Sequence, residues 1–76
     1  MNPYQALANA IIERAALDYR DALKELHRNP HYKEAQKVKD DCESFFLSNW
    51  FGVLTNLDGK VLMEDIRRMV RAEAAV

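Results

Sequence analysis

Asp58 and Gly59 are the residues whose types and spacing come closest to a metal-binding loop. With Gly59 at the sixth position of a calcium-binding EF-hand loop, Asn56 falls at the third position and Asp58 at the fifth. The first position, which needs a carboxylate, is Leu54, and the twelfth, which needs a bidentate Glu, is Asp65. Because the first carboxylate is missing, we interpret Asp58-Gly59 as the start of a helix.

Two histidines and the single cysteine are the other candidate metal ligands. His27 and His31 have the four-residue spacing of a two-histidine site on a helix, but Pro30 lies between them and interrupts the helix. Cys42 lies in an apolar stripe, where a lone cysteine is usually a small buried side chain. The sequence shows no paired nucleophile and base, no glycine-rich phosphate loop and no acid pair in an apolar setting. We therefore expect no metal, no other cofactor and no enzymatic activity.

The charged residues are the next candidates for a binding role. The net charge of −1 argues against a general nucleic-acid binder, which needs an excess of cations to displace phosphate counterions. Near the C-terminus, however, three arginines form a candidate basic patch that keeps a small nucleic-acid-associated regulator as the alternative function: Arg67, Arg68 and Arg71. We interpret an acidic cluster in the middle of the chain as a solvated helix face: Asp40, Asp41 and Glu43.

Four aromatic residues lie within seven positions and cannot all face inward from one helix. A kink near Ser48 could fold them around the end of the first helix and close the core. Alternatively, part of this surface binds protein, since exposed apolar patches mark association sites. We expect mostly core with a residual patch. The candidate protein interface consists of the four aromatics and one leucine on the charged side of the first helix: Leu17, Phe45, Phe46, Trp50 and Phe51.

Capping residues and apolar spacing predict the first two helices. Asn2-Pro3 is a helix start, and apolar residues then recur every three or four positions as far as Arg28, with no Gly or Pro between. Asn29-Pro30 repeats the same sequence pattern, so we expect the first helix to end there and the second to start at once.

The second half of the chain predicts a short helix and a last helix. Residues 47–55 indicate a kink and then a short apolar helix capped by Ser48, with Gly52 permitting a bend or a close backbone approach. Asp58 caps a last helix from about Lys60 to Ala72. The predicted fold is all-α: a small bundle of three main helices plus a short aromatic helix, in a single domain of residues 1–76.

Residues 41–62 carry the pattern Phe-Phe, Ser, Trp-Phe, Leu-Thr and Asp-Gly. This segment resembles a class of short helical proteins of phages and integrated elements in Gram-positive bacteria. The resemblance covers the second half of the chain and implies an origin in a mobile element; since that family has no assigned activity, it implies no catalytic residues. Small phage proteins of this size often bind a host protein, so we expect an adaptor or inhibitor.

Composition sets the cellular context that we expect. The 76 residues are 49% hydrophobic and 30% charged, as in a folded protein. One cysteine excludes an internal disulfide, no apolar run reaches the ~20 residues that span a bilayer, and the N-terminal residues do not resemble a signal peptide. We therefore expect a cytoplasmic protein that does not bind membranes.

Self-association is the last expectation from the sequence. The core of a chain this short is marginal when it has no disulfide or metal to support it. The first helix is apolar over more of its circumference than one neighbouring helix can cover, and the aromatic run adds further apolar surface. We expect a two-fold homodimer, the commonest closed assembly, built from these two segments.

Overall fold

The computed structural model describes residues 2–74, and that range contains four α-helices and no strand. The predicted all-α fold, with three main helices and one short helix, is confirmed. No helix in this range is both long and apolar enough to span a membrane. The helices are α1 (Pro3–Arg28), α2 (Lys33–Phe46), α3 (Asn49–Leu54) and α4 (Gly59–Ala74).

Side-chain caps start three of the helices where the sequence predicts them. Each cap places an oxygen on backbone N–H groups of the first turn, which have no partner within the helix. Asn2 Oδ1 accepts from the N–H of Tyr4 at 2.7 Å, Ser48 Oγ accepts from Phe51 at 3.2 Å, and Asp58 Oδ1 accepts from Lys60 at 2.9 Å.

The prediction that α2 starts directly at Asn29-Pro30 is wrong, because α2 begins at Lys33. The side-chain oxygen of Asn29 accepts the N–H of His31 at 3.3 Å, and its carbonyl accepts the N–H of Tyr32 at 3.1 Å. Asn29 therefore ends α1, where its N–H donates to the carbonyl of Glu25 at 2.8 Å, and closes a turn instead of capping the start of α2. This turn reverses the chain between α1 and α2.

Gly59, not Gly52, is where two backbone segments approach closely. A Cβ atom at Gly59 would lie 1.9 Å from the carbonyl oxygen of Phe46, so the start of α4 fits against the end of α2 only without a side chain. At Gly52 a Cβ would meet nothing within 4 Å, and α3 continues through this residue. The prediction of a bend or close approach at Gly52 is therefore wrong.

The core lies where the C-terminal part of α1 meets the other helices. Edge-to-face aromatic contacts join α1, α2 and α3, with ring centroids 5.6 Å apart for Tyr19 and Phe46 and 5.8 Å apart for Phe46 and Phe51. The buried cluster draws on all four helices: Ile12, Tyr19, Cys42, Phe46, Phe51, Met63, Ile66 and Val70.

The unequal lengths of the helices leave one end of α1 less covered than the other. The 26 residues of α1 extend for about 39 Å, which is nearly the whole 40 Å length of the molecule. With 14 residues, α2 extends for only about 21 Å. Contacts from α2 and α4 reach Tyr19 and Lys24 of α1, whereas the first turns of α1 line grooves with α3 and with residues 55–57 that follow it.

Candidate protein-binding surface

Two segments without charged residues meet at one end of the molecule. Residues 1–12 and 44–57 contain no Asp, Glu, Lys or Arg, although 30% of the chain is charged. Residues 3–12 of the first segment form the N-terminal turns of α1, and the second segment contains all of α3. Since α3 packs on α1, the fold brings the two segments together. All 11 Lys and Arg and all 12 Asp and Glu lie outside them.

Two adjoining grooves lie on this uncharged end. A groove of about 430 Å³ runs between α1 and α3, and a neighbouring one of about 420 Å³ shares three of its lining residues. The two grooves together define what we call the α1–α3 surface. Its residues are Tyr4, Gln5, Leu7, Ala8, Asn9, Ile11, Trp50, Val53, Leu54, Thr55, Asn56 and Leu57.

Large apolar side chains on both sides of the groove are open to solvent. On α1, Tyr4 is 83% exposed and Leu7 is 61% exposed; on α3, Trp50 is 56% and Val53 is 74% exposed. Single exposed apolar residues are normal on a protein surface, whereas a contiguous group of them marks an association site. The α1–α3 surface is such a group.

The kink between α2 and α3 decides which aromatics reach this surface. Ser48 Oγ donates a hydrogen bond to the carbonyl of Phe45 at 2.7 Å and accepts one from the N–H of Phe51 at 3.2 Å, which fixes the change of direction. After the kink, Phe51 packs against Phe46 in the core and Trp50 stays outside, at the groove.

The candidate interface predicted from the sequence therefore changes in composition. Phe46 and Phe51 are each only 2% exposed, so the kink that closes the core removes them from any surface of the folded chain. Phe45 is half-buried against Phe51, with ring centroids 5.6 Å apart, and Leu17 is also half-buried. Of the five predicted residues, only Trp50 lines the α1–α3 surface.

Tyr4, Leu7 and Val53 are exposed members of this surface that the sequence analysis did not name among the candidate interface residues. Tyr4 and Leu7 share the three-and-four spacing of the core residues in α1, and that spacing hides them. The absence of charge from residues 1–12 and 44–57 is the signal that distinguishes them.

A polar cluster ties three helices together at the edge of the core. The Tyr19 hydroxyl donates to Glu43 Oε2 at 2.7 Å and accepts from Arg67 Nε at 2.8 Å. Arg67 Nη2 also donates to Glu43 Oε2 at 2.7 Å, and Lys39 Nζ lies 3.2 Å from the same oxygen. The interpretation of Glu43 as part of a solvated acidic face is wrong, because this contact network holds its carboxylate; Asp40 and Asp41 are exposed.

Burial and hydrogen bonding shift the titration of this cluster. Burial, together with the hydrogen bond to Glu43, raises the pKa of Tyr19 to about 12. Burial alone would raise the pKa of the Glu43 carboxyl, but hydrogen bonds from Arg67, Tyr19 and Lys39 outweigh burial and lower it. The cluster is therefore a neutral phenol held between a carboxylate and a guanidinium, with a structural role.

The three arginines of the predicted basic patch lie in different settings. Arg67 belongs to the polar cluster, and Arg68 forms an ion pair with Asp65 at 3.6 Å. Arg71 lines a groove of about 250 Å³ together with Arg67, whereas Arg68 does not line it. Only part of the predicted patch is therefore one surface.

The candidate metal ligands do not come together in the part of the chain that the structure describes. Within residues 2–74, no three side chains of His, Cys, Asp or Glu form a group that could hold a metal ion. Cys42 is buried, as predicted, and burial raises the pKa of its thiol. Asp58 caps α4, which confirms the interpretation of Asp58-Gly59 as a helix start.

Comparison of the chain with protein-family models, curated proteins and solved structures gave no match.

Proposed function

We propose that this protein is a non-enzymatic protein-binding module, an adaptor or inhibitor, and that it binds its partner through the α1–α3 surface. The observation that carries the proposal is the exposure of Tyr4, Leu7, Trp50 and Val53 on one uncharged surface. Tyr and Trp are among the residues that contribute most to binding at protein interfaces.

The composition of the surface indicates how a partner would bind. The groove between α1 and α3 has apolar walls, which suit apolar side chains from a partner. Gln5, Asn9 and Asn56 lie in the adjoining groove and supply amide donors and acceptors. The apolar groove and these amides together give the surface an apolar centre and a polar rim, which is the usual arrangement of a protein interface.

The proposal includes an origin in a phage or integrated element and an action on a host protein in the bacterial cytoplasm. Its support is the pattern in residues 41–62, from Phe45-Phe46 to Asp58-Gly59. Several residues of this pattern have structural roles in the fold. Ser48 fixes the kink and Gly59 allows the close approach of α4, so these parts of the pattern also describe the fold.

A comparative capture experiment tests the proposal. The protein and its Val53→Asp variant are each immobilised and exposed to a lysate of the organism that encodes the chain. We expect the unmodified protein to retain one protein stoichiometrically and the variant to lose it, because a carboxylate in the groove must be desolvated on binding. Met69→Asp is the matched control, since Met69 is an exposed apolar residue (56%, against 74% for Val53) that does not line the α1–α3 surface.

Two results would count against this assignment. Equal retention by the unmodified protein and Val53→Asp would place the binding surface elsewhere. Loss of binding in Met69→Asp with retention in Val53→Asp would move it to the exposed face of α4. Circular dichroism of all three proteins checks that each substitution leaves the helices intact.

The alternative function, a small nucleic-acid-associated regulator, has one observation in its favour. Two adjoining grooves share His27 and Val70, and one acidic residue, Glu73, lines them. Their basic residues are Lys24, His27, Arg28, Lys39, Arg67 and Arg71. Ion pairs with Glu25, Glu43 and Glu73 offset much of this charge.

DNA binding measured at increasing salt tests this alternative. Contacts to phosphate would weaken steeply with salt, and Arg71→Ala would weaken binding because Arg71 lines the basic groove. Arg68→Ala is the control, since Arg68 lies outside this groove. Binding that does not depend on salt or on Arg71 would reject the alternative.

A further inference from the structure

We infer that the partner of the α1–α3 surface is a second copy of this chain, packed across a two-fold axis. This inference rests on the part of the proposed function that assigns the α1–α3 surface to protein binding, and it names a second copy, in place of a host protein, as the partner of that surface. Three properties of the molecule support it: the amount of exposed surface, the distribution of charge and the shape of the groove.

The molecule exposes more surface than a folded monomer of its mass should. The scaling of accessible surface with mass gives about 4,800 Å² for 8.8 kDa. This chain exposes 5648 Å², an excess of about 900 Å². Each partner in a standard protein interface buries about 800 Å². This excess belongs to the molecule as a whole, and its size is comparable with what one copy buries in a dimer of ordinary size.

The charge distribution favours an identical partner. In a two-fold interface, side chains near the axis meet their own copies, so any charged residue there would face a like charge. The α1–α3 surface carries no charged residue and is free of this repulsion. A different partner protein is often selected and steered by complementary charge, and this surface offers none.

The surface also has both parts that a self-complementary interface needs. Tyr4 and Leu7 form an exposed ridge on α1, and the groove between α1 and α3 lies beside them, bordered by Trp50 and Val53. With a two-fold axis, the ridge of one copy packs into the groove of the other, and the reverse contact forms at the same time. Tyr4 and Leu7 are three residues apart, as are Trp50 and Val53, so each pair lies on one side of its helix.

Light scattering and sedimentation over a dilution series test the inference on the full chain. We expect twice the monomer mass of 8.8 kDa at micromolar concentration. Leu7→Asp should weaken the dimer by about a hundredfold, because it places a carboxylate and its two-fold copy in the apolar contact. Met69→Asp, at a similarly exposed apolar residue outside the surface, should leave the dimer unchanged.

A mixed sample locates the contact directly. One copy is labelled with ¹³C and ¹⁵N and the other is unlabelled, and NMR is filtered for nuclear Overhauser effects between copies. The two-fold arrangement predicts intermolecular signals between the Tyr4 or Leu7 side chains of one copy and the Trp50 indole of the other. A dimer that lacks these signals overturns the inference.

The outcomes separate the inference from the proposed function. A mass of 8.8 kDa at every concentration overturns the inference, and the proposed function then stands if Val53→Asp still abolishes capture of another protein. A monomer that binds neutral lipid vesicles through Trp50 overturns both. A dimer unaffected by Leu7→Asp but dissociated by Met69→Asp moves the interface to α4 and overturns the inference, and the capture experiment with Val53→Asp then decides the proposed function.

Discussion

The two ends of α1 have the same apolar spacing but opposite surroundings. From about Ile12 onward, α2 and α4 cover its apolar face, and Tyr19 is completely buried. Charged side chains cover the rest of this end, and Lys24 pairs with Glu73 of α4 at 2.8 Å. Beside the first three turns lie α3 and residues 55–57 that follow it, no charged residue occurs in these segments, and Tyr4 is 83% exposed.

Apolar periodicity alone therefore does not separate a core from an interface. The spacing identifies the face of a helix that must be covered, but it does not say which element covers it. The charged residues supply the missing distinction. A half-covered helix with charged residues on its outer face is complete as a monomer, whereas a half-covered helix without them still has apolar surface to bury.

Substitution of neighbouring aromatics should show the largest contrast between core and surface. Phe46→Ala should lower the free energy of unfolding by about 3–5 kcal/mol, because it leaves a cavity against Tyr19 and Phe51. Trp50→Ala should change it by less than about 1 kcal/mol in the monomer, since the indole is 56% exposed. Urea unfolding at concentrations below dimer formation measures both. Similar losses for the two variants would contradict the division between core and surface.

The two glycines should differ almost as strongly. Gly59→Ala should destabilise the protein by about 3 kcal/mol, because its Cβ would collide with the Phe46 carbonyl and force α2 and α4 apart. Gly52→Ala should raise stability by about 0.5–1 kcal/mol, since it meets open space within a helix. Thermal unfolding followed by circular dichroism compares them. A stabilising Gly59→Ala would show that α4 does not pack closely against the end of α2.

The polar cluster at the covered end should make stability depend on acid. Because the folded-state pKa of Glu43 is below its unfolded value of about 4.3, its contribution is complete above that pH and is lost as the pH falls through the folded pKa. Glu43→Gln should cost about 1–2 kcal/mol at pH 7 and flatten the loss of stability below about pH 4.3. Asp41→Asn, at an exposed carboxylate, should keep the acid dependence of the unmodified protein. If stability depends on acid in the same way in both variants, the Glu43 carboxylate is not the source of the acid dependence.

Local chemistry explains what could be predicted from the sequence. Asn2, Ser48 and Asp58 cap helices within three residues of themselves, so their roles follow from neighbouring positions. At Asn29 two local roles compete, the N-cap of α2 and a turn, and the sequence alone does not show which of them forms. The close approach at Gly59 depends on where α2 ends, which a capping pattern does not specify.

The parts of the site that escaped prediction depend on residues distant in sequence. Tyr19 lies 24 positions from Glu43 and 48 from Arg67, so no spacing pattern joins them. The choice of Phe51 for the core and Trp50 for the surface depends on the direction of the chain after Ser48. Both features follow from how the helices are arranged in space, and they become visible only when the fold is known.

The contact of Tyr19 with two other helices has a consequence for how the chain finds one arrangement among several. Apolar faces of helices can pack in more than one register, and a slip of one turn moves a side chain by about 5.4 Å. Such a slip of α2 or α4 would carry Glu43 or Arg67 out of reach of the Tyr19 hydroxyl and leave the buried phenol without one of its two hydrogen-bond partners. Each misaligned bundle would lose about 1–3 kcal/mol through this one group. The Tyr19 hydroxyl therefore disfavours bundles that bury the same apolar surface in the wrong register.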